Sequence, residues 1–94
     1  MSTIIKLLDY APSIGEEDEG KKILAEIKSH LTTTDEIVLD FTGIQTLATI
    51  CAKLIFGTLY NELGKEQFYN RILIANSTRT VKRSIKLGIE FAMN

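Results

Sequence analysis

The sequence predicts an α/β fold: one small domain over residues 1–94 in βαβαβα order, with a mostly parallel sheet of three to four strands and helices packed on it. Three observations carry this. Short aliphatic and β-branched runs alternate along the chain with longer segments of helical periodicity. The centre of one run, Ile37-Val38-Leu39, is continuously apolar, which is the pattern of a parallel strand covered on both faces. No internal repeat, low-complexity segment or linker divides the chain. Strands that alternate with helices pair in parallel through right-handed crossovers.

The first strand is expected over residues 3–8, TIIKLL, followed by a loop over 9–15 that holds the only proline, Pro12. Residues 16–31 form the clearest helix. Gly20, Ile23, Leu24, Ile27 and Leu31 fall on one stripe, and the acids Glu16, Glu17, Asp18 and Glu19 open it, where the helix dipole favours negative charge. A polar connection over 32–35 leads to a strand over 36–41. Residues 42–47 read as a turn and 48–63 as the second helix. A loop over 64–70 precedes a third buried strand over 71–75, RILIA. Asn76 or Ser77 caps the last helix, which places Val81, Ile85, Gly88, Ile89 and Ala92 inward.

Bulk properties narrow the function classes. The formal net charge is -1, which argues against general attraction to nucleic acid or an anionic membrane. The single cysteine, Cys51, excludes an internal disulfide and fits a reducing compartment. The apolar runs are too short to span a bilayer and no signal layout opens the chain, so a cytoplasmic protein is expected. No cofactor is expected, since Gly15 and Gly20 make neither a P-loop nor a dinucleotide fingerprint. With one histidine, His30, and an inward Cys51, no nucleophile set can be assembled, and a non-enzymatic protein is expected.

Four features carry the remaining possibilities. On the second helix, at about 100° per residue, Thr49, Lys53, Gly57 and Tyr60 gather on a narrow polar side. Its wide apolar arc reads as a well-covered helix whose margins, Ile50 and Phe56, meet a partner. On the last helix, Arg79, Lys82, Arg83 and Lys86 make a basic stripe. That is most simply a solvated face, with an acidic or phosphate-rich partner as the other reading, and nucleic acid is disfavoured by the absence of interleaved aromatics. Asp40 ends a strand where α/β proteins bind ligands, and Asp9 could approach it. Such an aspartate more often caps the following turn. Cys51 reads as a buried structural thiol.

The segment VLDFTGI before a helix, then RILIAN and STRTVKRSIKLGI, resembles a STAS domain, the module of anti-sigma-factor antagonists and sulfate-transporter tails. Asp40, Thr42 and Gly43 match its first motif, and Asn76, Val81, Arg83 and Leu87-Gly88-Ile89 its last. The chain is more similar still to a divergent bacterial branch of STAS-like domains of unknown function, on Leu39-Asp40-Phe41, Gly43 and the opening SIGEEDEGKKIL. Where antagonists carry Asp-Ser-Ser-Gly, this chain has Ala48-Thr49-Ile50-Cys51. The phosphorylated serine aligns with Ile50, and a shift of one residue places Thr49 there. Where the divergent branch has Ser-Phe-Ala-Asp-Glu, residues 50–54 keep only Ala52. The resemblance implies a protein-interaction module whose partner is a histidine-kinase-type ATPase. Its phospho-acceptor would be Thr49, and its surface Asp40, Thr42, Thr49, Ile50, Lys53 and Phe56. The alternatives are a small-ligand or phosphate-accepting protein using Asp40 and Thr49, and a structural homodimer.

Overall fold

The computed structural model describes residues 2–93. Three strands, β1 (Ser2–Lys6), β3 (Glu36–Asp40) and β5 (Ile72–Ala75), form a fully parallel sheet in the order β1-β3-β5. The alternation of strand and helix had implied this pairing. Residues 7 and 8 of the expected first strand turn instead, together with Asp9, into a single 3-10 turn, Leu7–Asp9. Two further strands, β2 (Ser13–Ile14) and β4 (Thr46–Leu47), pair in parallel within segments read as a loop and a turn. Backbone bonds from Gln45 N to Pro12 O (2.8 Å) and from Ala48 N to Ile14 O (2.8 Å) extend that ladder. They clamp the chain just before the second helix.

The first helix, α1 (Glu17–Leu31), begins where its acids predict. Glu19 Oε1 accepts the N–H groups of Gly15 and Glu16, which have no partner inside the helix. Its far end is closed by Arg71, whose guanidinium donates to the carbonyls of Leu31 (2.5 Å), Thr34 (2.8 Å) and Asp35 (3.2 Å). Residues 49–63 form one continuous helix, α2. Its middle stretch, Lys53–Gly57, is π-helical between α-helical ends at Thr49–Ala52 and Thr58–Leu63. Residues 64–70 are not a loop: α3 (Lys65–Arg71) fills them, seating Phe68 in the core. The last helix, α4, spans Arg79–Met93. Its cap is neither Asn76 nor Ser77 but Thr78, whose Oγ1 accepts the N–H of Val81 at 3.2 Å. Asn76 has another task, described below.

The sheet is covered on one side only, which corrects the expectation of a doubly covered strand. Ile5, Ile37, Leu39 and Ile72 are buried against the helices, with α2 packed between α1 and α4. The residues of opposite parity on all three strands include none that is buried. Among them the register aligns Ile4, Val38 and Leu73 in one row across the open face, with Ile4 64% exposed. A run of apolar residues does not reveal whether both of its sides are covered.

Candidate functional site

Two places carry the residues singled out from sequence. The first is the C-terminal edge of the sheet. Asp40, the last residue of β3, turns its Oδ1 to three donors: Thr42 Oγ1 (2.6 Å), Thr42 N (2.9 Å) and Asn76 Nδ2 (3.0 Å). Asn76 reaches it from the end of β5 by adopting a left-handed backbone, φ 58°, which asparagine tolerates better than most residues. The Thr42 hydroxyl, the Asn76 amide and the Thr42 N–H hold the Asp40 carboxyl below its ordinary value, at about 2. A carboxylate so held is a poor general base near neutral pH. Asp40 is therefore the clasp of the turn into the 42–47 segment. Lys6, Leu8, Asp9 and Thr42 join it around a shallow pocket of 320 Å³. Asp9 thus shares this pocket with Asp40, but Thr49 does not line it, so Asp40 and Thr49 do not form one site there.

The clasp has a pH signature. The folded carboxyl titrates at about 2 against an ordinary value of 3.8, so its stabilisation is complete above about pH 4 and disappears as pH falls toward 2. Asp40→Ala should melt below the wild type at neutral pH, and the gap between the two should close progressively on acidification. Melting curves taken across that range check it; a gap independent of pH would show that the carboxylate charge plays no part.

The second place is the start of α2. The β2–β4 ladder delivers the chain to Ala48, extended at φ -62° and ψ 144°, and the helix begins at Thr49. Thr49 is exposed, as is Ile50 at 54%, and Lys53 is half-buried on the same side. Phe56 is not part of this surface. It is 1% exposed, with its ring centroid 6.5 Å from that of Phe41. The π-helical stretch explains the correction. Bonds of the i→i+5 type turn each residue through less than the α-helical angle of about 100°. Over Lys53–Gly57 the lag carries Phe56 and Gly57 from the polar margin into the core. Cys51 lies on the α1 side, fully buried, with its Sγ donating to Glu16 O at 3.2 Å. Burial pushes its thiol pKa up, opposite to what a nucleophile requires.

Sequence reasoning missed two members of this surface. Gly88 of α4 lies so close to α2 that a Cβ there would come within 2.5 Å of Ala52 O. Beside that contact, Leu87 and Phe91 stand 44% and 60% exposed, and Lys53 Nζ sits 4.3 Å over the Phe91 ring. Both apolar residues lie outside the inward stripe of α4, the one signal that could have marked them. Between the helices, Lys53, Gly57, Thr58, Asn61, Phe91 and Ala92 line a groove of 530 Å³. The basic residues Arg79, Lys82, Arg83 and Lys86 are all exposed. Among the described residues, no group of three or more His, Cys, Asp or Glu is placed to hold a metal ion, and no helix is long and apolar enough to cross a membrane.

A family model described as a STAS-like domain of unknown function (DUF4325) matches residues 19–82, well over half of the chain. The match runs from the first turn of α1 to the first turn of α4 and includes Asp40, Thr49 and the π-helical stretch. No curated protein and no solved structure matches.

Proposed function

The chain belongs to the STAS-like family of unknown function, and from that premise we propose that it is a non-enzymatic interaction module that grips a partner protein with the exposed start of α2. The observation that carries this reading is Ile50. A large aliphatic side chain, more than half exposed, sits beside a free hydroxyl at Thr49 and a cation at Lys53, where the sequence aligns with the modified region of anti-sigma-factor antagonists. The partner by that resemblance is a histidine-kinase-type ATPase. Transfer of the ATP γ-phosphoryl group to Thr49 Oγ1, releasing ADP and a proton, would add about two negative charges in the middle of the contact and switch it.

The test is calorimetric titration of the protein with the histidine-kinase-type ATPase encoded nearest to its gene. Thr49→Glu and Ile50→Ala should each weaken binding about tenfold. Both are exposed substitutions, so stability should stay within about 0.5 kcal/mol of the wild type. Normal binding by both variants would place the interface elsewhere, and a deep loss of stability in Ile50→Ala would make Ile50 a core residue.

A further inference from the structure

We propose that the outward ridge of α4, together with the start of α2, receives an acidic amphipathic helix of a partner protein; this rests on the interaction-module reading and names the chemistry of the partner. Arg79, Arg83, Leu87 and Phe91 recur at every fourth position of α4, which sets them along one ridge of the helix. All four are exposed. The ridge has two halves, cationic at its start and apolar at its end. It lies against α2 because Gly88 packs on the backbone of Ala52 and Lys53. Lys53 is held over Phe91, and Ile50 lies one turn before Lys53.

Ile50, Leu87 and Phe91 are thus exposed apolar groups along the α2–α4 contact, with Lys53, Arg83 and Arg79 beside them and Lys82, Lys86 and Glu90 on the next ridge of α4. On the α1 side, Glu17 is paired with Lys21 at 3.7 Å, while Glu16 and Glu19 act on Cys51 beside Ile50, so the cationic part of the rim is the one that α4 and Lys53 supply. No acid lines the groove between α2 and α4. Clustered exposed apolar side chains mark interaction surfaces, and the sign of the rim selects the partner through complementary charge. An amphipathic helix laid in a groove presents side chains every third or fourth residue. One with leucine or phenylalanine toward Leu87 and Phe91, and glutamate or aspartate toward Arg79 and Arg83, satisfies both halves of the ridge. Nucleic acid fits less well, because aliphatic Ile50 and Leu87 offer no stacking face.

The probe is a fluorescein-labelled helical peptide with a leucine and phenylalanine stripe flanked by glutamates, titrated by anisotropy against the full chain. The same peptide with lysine for glutamate and phosphatidylserine vesicles are run beside it. The acidic peptide should bind, its lysine counterpart at least about tenfold more weakly, and added salt should weaken the complex. Arg83→Glu and Phe91→Ala should each reduce affinity about tenfold while leaving the melting curve in place. Equal binding of both peptides, absence of acidic-peptide binding, or binding to the vesicles alone would overturn the proposal. Failure here is separable from failure of the module reading. An ATPase partner lost by Ile50→Ala but retained by Arg83→Glu defeats the acidic-helix assignment only, and one retained by both variants defeats the two together.

Discussion

Phe56→Ala is expected to remove about 3–5 kcal/mol of folding stability, the range for deleting a buried phenylalanine side chain. The ring is 1% exposed and tilted at 31° to Phe41, so truncation removes both apolar burial and an aromatic contact. It lies in the π-helical stretch of α2, between α1 and α4, where collapse of a cavity would require moving whole helices. A domain of this size has about 5–15 kcal/mol in total, so the loss is a large fraction of the whole and should lower the urea midpoint markedly. Urea unfolding of Phe56→Ala beside Ile50→Ala makes the check sharp. The two residues occupy one helix six positions apart and both look marginal in a regular helical projection. The structure separates them, one as core and one as surface. Equal and small effects would mean that the π-helical register is wrong.

That pair also marks where sequence reading succeeds and where it stops. A regular period of about 3.6 residues per turn is legible, so α1 and α4 are found with their inward stripes. The same projection fails in α2 because nothing in Lys-Leu-Ile-Phe-Gly announces i→i+5 bonding, and every residue after the insertion is rotated. Its polar side was expected to hold Gly57 and Tyr60; Gly57 is in fact buried against α4. α3 escaped because seven residues with one buried side chain, Phe68, have no period to detect. β2 and β4 are two residues each and exist only through their mutual pairing. The cap of α4 was expected at Asn76 or Ser77; Thr78 supplies it instead, and the Asn76 amide is taken by Asp40. In the candidate site, Thr49, Ile50 and Lys53 were legible because they open a helix. Leu87 and Phe91 belong to that surface only through the contact of α4 with α2, which is a tertiary fact.

That contact underlies the second large effect. Gly88→Ala should destabilise the protein by about 2 kcal/mol or more, although alanine is the better helix former by about 1 kcal/mol. A Cβ at position 88 would lie 2.5 Å from Ala52 O, 2.6 Å from Ala52 C and 3.0 Å from Lys53 N. All three are backbone atoms, so no side chain can rotate away, and the helices must separate. Overpacking of this kind costs about 1–3 kcal/mol and sometimes more, and the rigidity of the obstacle puts this case at the upper end. Separation would also loosen Gly57, whose own Cβ position lies 3.1 Å from Gly88 O. Gly20→Ala is the matched control. Gly20 is also helical and buried, but the nearest atoms to its Cβ position, all of Cys51, are 3.6 Å away, an ordinary contact. There the helix propensity should prevail, and the variant should be as stable as the wild type or slightly more so. The same chemical change is thus expected to act with opposite sign on the two flanks of α2, and urea unfolding of both variants reads the difference directly. If Gly88→Ala proves as benign as Gly20→Ala, α4 does not rest on the backbone of α2, and the surface built from Ile50, Leu87 and Phe91 would have to be abandoned with it.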